Sequence, residues 1–460
     1  MTDVGDMAVT PELELIADAD ARASAYLATL QQRPPFPDQT ARDGLTVFAE
    51  PLPEEGHDAT DTLRLLDVHG SPATTASNGP RYFGFVIGAA LPAAAAAERL
   101  MLAWDQCASS YDNSPVAATV EKVAGSWLLD VLDLPRESGV GFGTSATACS
   151  LTCLSAARRS LLARHGWNFD RDGLHGAPQI RVVVPDTVHI TVKKALRLLG
   201  FGMAHLVVAP TDPQGRIDPA RLPALDDHTI LCLQAGEVNT GEFDPFIPLI
   251  KAAHDAGAWV HVDGAFGLWA RASSRRVLTD GVEQADSWTT DGHKWLNTPY
   301  DGAVAICRDA EALAGAMNAD AAYSMASKDA QKNLTLEFSR RARGIPIWAA
   351  LRTLGRKGVA ELVDRHCDEA AWLADRLRST GFDVLNRVAL NQVLVQFEDD
   401  EATTRLRQHV LASEAGWFGT TIWQGRSAFR ISISSWRTQH EDVVRLANAF
   451  AQAAEDRSLR

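Results

Sequence analysis

The chain has 460 residues, of which 46% are hydrophobic and 22% are charged. This length and composition exclude a small disulfide scaffold and a disordered chain, and they predict a globular protein of two or three packed units. The 44 basic and 58 acidic side chains give a formal net charge of -14. Because this acidic balance repels nucleic-acid phosphates and anionic lipids, we expect neither nucleic acid nor a membrane as a partner.

The cysteines and the N-terminal sequence bear on the compartment. The 6 cysteines form no CxxC pair and lie mostly in apolar surroundings, as reduced thiols do, so we expect a cytoplasmic protein. Residues 1–22 carry acids and no apolar core, which disfavours a signal peptide. The longest apolar run, at 89–97, is too short to span a bilayer.

The first two thirds of the chain predict an arm and then an α/β domain. Apolar residues at helical spacing over 11–30 predict a helix, which the proline-rich stretch 33–37 would end. Apolar runs predict strands at 180–185, 204–209, 229–234, 258–263, 285–289 and 303–307, and helices at 190–199, 219–225 and 245–256. Continuous apolar strands joined by helical crossovers favour a mainly parallel sheet covered on both faces.

The C-terminal part has a different pattern. After a polar loop at 323–337, helical spacing runs from 345 to 377. Further segments predict strands at 383–385, 392–397 and 428–433, and helices at 401–412 and 441–454. This order predicts a small α+β domain.

An acid and a lysine at the ends of two predicted strands suggest chemistry. Asp263 ends a strand at the carboxyl edge of the sheet, where ligands bind in open α/β folds, although a helix N-cap is an alternative. Lys294 follows another strand, and a solvated surface charge would be its ordinary interpretation. Pyridoxal phosphate (PLP) enzymes need a lysine for the Schiff base and a carboxylate that keeps the pyridinium protonated. The pair in this order therefore favours PLP.

Two further features lie on the same predicted domain. His189 follows a strand and could stack on a cofactor ring, although a lone histidine is usually structural. The segment 139–147 opens the helical pattern of 149–164 with small and hydroxyl residues, which could bind phosphate or only cap the helix. Residues 141–146 also fit GxGxxA. No clear apolar strand precedes them and no acid follows at the ribose distance, which disfavours a dinucleotide fold.

The motifs HVDGA at 261–265 and DGHKWL at 291–296, with supporting matches at 82–85, 114–115, 145–147 and 339–343, carry a family resemblance. From about residue 79 to 450 the chain resembles the group II PLP-dependent decarboxylases, which include aromatic amino-acid and glutamate decarboxylases. The resemblance implies a fold-type I homodimer with its active site at the subunit interface. The implied units are an N-terminal arm and interface segment (1–78), a large PLP-binding domain (79–325), and a mobile loop, linking helix and small C-terminal domain (326–460).

The resemblance also implies the roles of individual residues. Lys294 would carry the Schiff base, Asp263 would pair with the pyridine nitrogen, and His189 would stack on the ring and relay protons. The other implied cofactor contacts are Ser145, Ala146, Thr147, Ala265, His293 and, in the turn at 236–241 where many relatives carry Gly-Thr-Thr, Thr240. No metal is expected.

The substrate contacts are open to two interpretations. Phe85, Val86 and Ile87 match the segment that lines the family's substrate pocket, and they are apolar, as an aromatic or aliphatic substrate would require, but they could equally be core. Arg430 matches an arginine that meets the substrate carboxylate in the glutamate-specific branch, or it forms a structural ion pair. The arginines within 340–343 are expected to make ion pairs across the interface and to have no catalytic role.

The sequence thus predicts a PLP-dependent decarboxylase that converts an L-amino acid, aromatic or hydrophobic, to an amine and CO2. In the aromatic branch of the family, a tyrosine on the mobile loop donates the final proton, but residues 327–337 contain none and Tyr323 lies upstream. The alternatives are oxidative decarboxylation and deamination to an aldehyde, or another PLP lyase reaction. A non-catalytic PLP-binding protein is a third, disfavoured by the set of Asp263, Lys294 and His189.

Overall fold

Two β-sheets organise the protein. The computed structural model describes residues 10–318 and 330–456, and its larger sheet has seven strands in the order β1-β7-β6-β5-β4-β2-β3. These strands are β1 (Gly139–Gly143), β2 (Arg181–Pro185), β3 (Val207–Ala209), β4 (Thr229–Gln234), β5 (Trp259–Asp263), β6 (Ser287–Asp291) and β7 (Ala303–Cys307). The smaller sheet, ordered β10-β11-β9-β8, comprises β8 (Asp383–Val384), β9 (Gln392–Gln396), β10 (Gly419–Trp423) and β11 (Arg426–Ser432).

Strand direction in the large sheet brings six carboxyl ends to one edge. Strands β2 to β6 pair in parallel with their neighbours, whereas β7 is antiparallel to both β6 and β1. Because β7 is antiparallel to β6 and β1 is antiparallel to β7, β1 runs in the same direction as β2 to β6. In register, Gly143 faces Ala303, which faces Asp291, while Asp263 faces Gln234 and Thr289. The segments after these strand ends therefore share one edge.

α-Helices account for most of the remaining regular secondary structure. They are α1 (Pro11–Thr29), α2 (Gln39–Asp43), α3 (Ala59–Leu65), α4 (Ser71–Ala73), α5 (Pro92–Trp104), α6 (Pro115–Val131), α7 (Ala146–Arg164), α8 (Phe169–Asp172), α9 (Ile190–Leu198), α10 (Phe246–Asp255), α11 (Ala310–Met317), α12 (Gly344–Ser379), α13 (Asp400–Ala412) and α14 (His440–Glu455). Helix α12 is interrupted at Gly355, whose φ of 62° and ψ of -178° suit glycine. Among residues 10–318 and 330–456, no helix has the length and apolar character needed to cross a membrane.

The large sheet is buried on both faces because successive strand residues alternate between two apolar layers. On β4, Leu231 and Leu233 join the core formed with α6, α10 and α12. Ile230 and Cys232 point the other way and pack with α7, α9 and α11. This arrangement confirms the predicted α/β class with a mainly parallel sheet.

The C-terminal sheet forms a second core with the far half of α12, α13 and α14. Its centre is a cluster of the phenylalanines Phe418, Phe429 and Phe450, whose rings lie 5.1 to 5.3 Å apart. Phe83 also belongs to this core, and its N–H donates to the carbonyl of Trp417. The α+β character predicted for this region is confirmed, while the three domain boundaries stay predictions.

Several elements differ from the sequence-based expectation. The helix predicted at 219–225 is only a short 3-10 turn at Pro219–Arg221, because Pro223 lacks the N–H that would continue it. The strand expected at 204–209 is confined to β3. Strand β1 was not predicted because its three glycines hide the alternation of apolar residues. Strand β10 was not predicted either, because Thr420 and Thr421 interrupt any apolar run there.

The arginine-rich junction before α12 is fixed by ion pairs within the chain. Both Arg340 terminal nitrogens lie 2.7 Å from the two carboxylate oxygens of the buried Glu121. Arg341 pairs with Glu98 and Asp301, and Arg343 also donates to Asp301. These arginines make ion pairs within the chain, and ion pairs across a subunit interface stay a prediction. Tyr323 and the loop residues 327–329 lie outside the described residues.

Candidate active site

The shared strand edge collects the charged residues that the sequence singled out. Asp263 is the last residue of β5, Lys294 comes three residues after the end of β6, and His189 follows β2. Their proximity is evident in the electrostatics, because the charges of Asp263, Lys294, Asp291 and Arg430 all act on the His189 imidazole. The three predicted catalytic residues therefore face one region.

The carboxylate of Asp263 is held in place with one oxygen open. Its Oδ1 accepts the N–H of Ala265 at 3.1 Å, and the residue is 9% exposed. Within the described ranges, Oδ2 has no hydrogen-bond partner. The following 3-10 turn begins at Gly267 and is preceded by Phe266, so Asp263 is not its N-cap. Asp263 Oδ2 is therefore available to a ligand.

Lys294 is not a solvated surface lysine. Its side chain is 21% exposed, and Nζ lies 3.1 Å from Oδ2 of the buried Asp291. The N–H of Asp291 donates to the carbonyl of Ala265 at 2.9 Å, which ties the end of β6 to the segment after β5. Oδ1 of Asp291 is buried and has no hydrogen-bond partner in the described chain.

His189 caps helix α9 with its own imidazole ring. Its Nδ1 accepts the N–H of Thr191 at 3.3 Å and lies 2.6 Å from the Thr191 hydroxyl. Burial lowers the pKa of His189, and the cationic Lys294 and Arg430 lower it further, while Asp263 raises it. The imidazole is therefore neutral near pH 7.

A second polar group lies at the start of α7, two strands from β6. Ser145 is the N-cap, and its Oγ accepts the N–H of Ala148 at 3.4 Å. The N–H groups of Ala146 and Thr147 have no acceptor among the residues that the structure describes. Because α7 is 19 residues long, its N-terminus presents these N–H groups together with the positive end of its dipole. An anionic group fits there.

His293 supplies one more donor near this end of the site. Its Nδ1 accepts the N–H of Gly302 at 3.2 Å, so the ring proton is on Nε2. Burial lowers the pKa of His293 and keeps the ring neutral. Nε2 lies 3.7 Å from Asp291 Oδ2, and the ring stacks on Tyr300 at 4.2 Å.

Thr240 lies in a turn that satisfies its own polar groups. Its hydroxyl donates to the carbonyl of Gln214 at 2.8 Å, and its N–H donates to the buried Glu237 carboxylate at 2.7 Å. Asn239 donates to the same carboxylate through its N–H and its side chain. Burial raises the pKa of Glu237. Contact between Thr240 and a cofactor stays a prediction, and the buried Glu237 was not predicted as a part of this region.

Arg430 connects the small sheet to that turn. It projects from β11, and its Nη1 donates to the carbonyl of Val238 at 2.9 Å. Burial lowers the pKa of Arg430, and the nearby Glu237 opposes this effect. Nη2 has no partner in the described part of the chain, so it remains able to bind an anion.

The predicted substrate segment forms a tight turn from Gly84 to Ile87. The N–H of Ile87 donates to the carbonyl of Gly84 at 3.1 Å, and both Phe85 and Val86 have a φ of 57°, as in a type I′ turn. A positive φ is unusual for β-branched valine. Phe85 is 52% exposed, whereas Val86 is buried in the large core, so only Phe85 of this pair presents an open side chain.

Trp417 completes an aromatic surface that sequence reasoning missed. Its ring stacks on Tyr82 at 4.8 Å and lies 5.4 Å from the ring of Phe85. A Cβ at Gly84 would lie 2.1 Å from the Trp417 ring, so this contact requires glycine. Burial raises the pKa of Tyr82 to about 12. No local signal identifies Trp417, because it precedes β10, far along the chain from Phe85.

Taken together, these residues fit PLP. The first turn of α7 suits the phosphate, the open Oδ2 of Asp263 suits a protonated pyridine nitrogen, and Lys294 lies between β6 and β7 on the same edge. A cofactor with an anion at one end and a basic nitrogen at the other matches this polarity.

Comparisons with known proteins agree with this assignment. A family model described as the pyridoxal-dependent decarboxylase conserved domain matches residues 61–398. Tryptophan decarboxylase 1 of Oryza sativa subsp. japonica is 30% identical over 430 residues, which cover 84% of this chain and 82% of that protein. A phenylacetaldehyde synthase of a Rosa hybrid cultivar is 25% identical over 431 residues, which cover 85% of this chain and 84% of that protein.

A solved structure gives the same result for the fold. The crystal structure of Oryza sativa TDC with PLP and tryptamine superposes with a TM-score of 0.87 at 24% identity, covering 97% of this chain and 99% of that chain. The architecture is therefore fold-type I, as the sequence predicted. The chain belongs to the pyridoxal-dependent decarboxylase family and is a PLP-dependent amino-acid decarboxylase.

Proposed function

We propose that this decarboxylase acts on an L-amino acid with an aromatic or hydrophobic side chain and releases CO2 and the corresponding amine. The observation that carries the proposal is the convergence of Lys294, Asp263 and His189 at one sheet edge. The exposed ring of Phe85 beside Trp417 supports an apolar substrate, since aromatic pairs favour such contacts. The relative named as a tryptophan decarboxylase also supports it.

Each polar group has a distinct task in this proposal. PLP, when bound, supplies the electron sink for the electron pair left by departing CO2. Lys294 holds the cofactor covalently through its amine, and Asp263 keeps a proton on the ring nitrogen through Oδ2. The N–H groups at the start of α7 bind the phosphate, together with the Thr147 hydroxyl and His293.

Substrate orientation is assigned to three other residues. Arg430 binds the substrate carboxylate through Nη2, because Nη1 is already engaged with the carbonyl of Val238. Phe85 and Trp417 form the apolar wall for the substrate side chain. Holding the carboxylate and the side chain at separate points fixes which bond at the α-carbon is broken.

A second outcome, oxidative decarboxylation and deamination to an aldehyde, is favoured by one observation. The stretch 327–337 contains no tyrosine to return a proton to the α-carbon. The relative named as a phenylacetaldehyde synthase supports this outcome.

The first test separates these two outcomes. The PLP-loaded protein is incubated with a panel of L-amino acids while CO2, amine, aldehyde and oxygen uptake are recorded together. We expect equal CO2 and amine without oxygen uptake, and highest rates with aromatic or hydrophobic amino acids. Aldehyde with oxygen uptake would replace the simple decarboxylase by the oxidative reaction. Absence of CO2 from every amino acid would contradict both.

The second test concerns Lys294. We expect Lys294→Ala to lose the visible absorption of the lysine-bound cofactor and all turnover, because no other described amine lies at the end of β6. Lys251→Ala is the matched control, since this lysine is exposed on α10 and its one ion-pair partner among the described residues is Asp255. Absorption spectra and CO2 release measure both effects. A visible band retained in Lys294→Ala would remove the assignment.

The third test concerns Asp263. Asp263→Asn keeps the size of the side chain and an acceptor for the Ala265 N–H but removes the charge that holds the ring nitrogen protonated. We expect the cofactor to stay bound and kcat to fall about 10²- to 10³-fold, the range for removing one preorganised electrostatic group. Asp255→Asn, at the end of α10, should leave kcat unchanged. Near-normal turnover in Asp263→Asn would contradict the role.

We also propose a cytoplasmic homodimer with its active site at the subunit interface. Apolar residues exposed on the N-terminal region and α5, such as Phe48, Leu100 and Trp104, support an interface. The 6 unpaired cysteines support a reducing compartment. Sedimentation should give twice the chain mass of 49.7 kDa, and fractionation should recover the protein with cytoplasmic markers. A 49.7 kDa species alone would contradict the dimer.

A further inference from the structure

One of the two ring nitrogens of His189, Nδ1, contacts two polar groups of the protein. Nδ1 faces two groups of the same residue, the N–H of Thr191 at 3.3 Å and the hydroxyl of Thr191 at 2.6 Å. Thr191 is the second residue of α9, so the helix itself holds both groups in place. Nδ1 is therefore paired within the protein.

The chemistry of these groups determines the location of the ring proton. A backbone N–H can only donate, so Nδ1 of His189 must present its lone pair to Thr191. The Thr191 hydroxyl, at 2.6 Å, strengthens this arrangement when it donates to the same nitrogen. A neutral imidazole with an unprotonated Nδ1 carries its proton on Nε2.

The other ring nitrogen of His189, Nε2, is unpaired among the described residues. The charged groups that act on the ring come from other elements: Asp263 at the end of β5, Asp291 and Lys294 after β6, and Arg430 on β11. None of these groups determines which ring nitrogen carries the proton, because no hydrogen bond joins any of them to the ring.

We propose that Thr191 is a positioning residue that holds His189 in the tautomer with the proton on Nε2, so that the ring offers a hydrogen-bond donor to an anionic oxygen of the substrate. With the other tautomer, a lone pair on Nε2 would face that oxygen and repel it. The inference rests on the proposed function, because it takes the open side of His189 to face the substrate. It adds a residue that touches neither substrate nor cofactor.

The direct test measures the tautomer itself. Solid-state ¹⁵N NMR of the full-length protein with labelled histidine distinguishes a protonated from an unprotonated ring nitrogen, and the His189 signals are identified by their loss in His189→Gln. At a pH above the ring pKa, we expect the wild-type Nδ1 to be unprotonated and hydrogen bonded. Thr191→Val removes the hydroxyl at 2.6 Å but keeps the backbone N–H, so the Nδ1 signal should shift part of the way toward that of a nitrogen without a hydrogen bond, and Thr191→Ser should restore it.

The kinetic test uses the same variants in the PLP-loaded enzyme. Losing one hydrogen bond should lower kcat/KM about fivefold in Thr191→Val, with recovery in Thr191→Ser. Thr404→Val is the matched control, because its hydroxyl bonds to the Asp400 carbonyl on α13, away from the sheet edge. It should match wild type in both measurements.

The outcomes separate this inference from the proposed function. A protonated Nδ1 in the wild type, or an unchanged His189 spectrum in Thr191→Val, would overturn the role of Thr191 even if the enzyme decarboxylates amino acids. Absence of CO2 from every amino acid would overturn the proposed function, while the spectra would still decide whether Thr191 sets the tautomer. A shifted spectrum with unchanged kcat/KM would show that the hydroxyl hydrogen bond of Thr191 has no part in turnover and would also contradict the inference.

Discussion

The active site depends on the common direction of the strands in the large sheet. Apolar residues cover both faces of that sheet, which leaves the carboxyl edge as the place where polar side chains can face a ligand. The antiparallel β7 preserves this edge, because it lies between two strands of equal direction, β1 and β6. The α7 N-terminus and Lys294 thus meet, although about 150 residues separate them along the chain.

The sequence identified those site residues that directly follow recognisable strands. Asp263 stands out because a charged group ends the largely apolar β5, and Lys294 stands out because it lies between His293 and Trp295 just past a strand; both signals are visible without any tertiary information. Trp417 and the Glu237 carboxylate have no such contrast, since their importance arises from contacts with distant segments. The same reason explains β1: its glycines carry no hydrophobic period, and only pairing with β7 makes it a strand.

Hydrogen bonds within the protein determine which atoms of the polar side chains remain free to donate to a ligand or accept from it. Gly302 occupies Nδ1 of His293, and Thr191 occupies Nδ1 of His189, so both neutral rings carry their protons on Nε2. Ala265 occupies one oxygen of Asp263 and leaves the other open. In each case a backbone N–H at the sheet edge occupies one polar atom of the side chain, and the second polar atom remains available to the ligand.

In the turn after β4, the polar groups form their hydrogen bonds with the protein itself. This turn carries Glu237 and Val238 after Gly236. The buried Glu237 carboxylate accepts bonds from Asn239 and Thr240, while the Val238 carbonyl accepts Arg430 from the small sheet. A carboxylate at this depth is stable only when such donors surround it. The turn therefore links the two sheets, because the bond from Arg430 to the Val238 carbonyl ties β11 to the segment after β4.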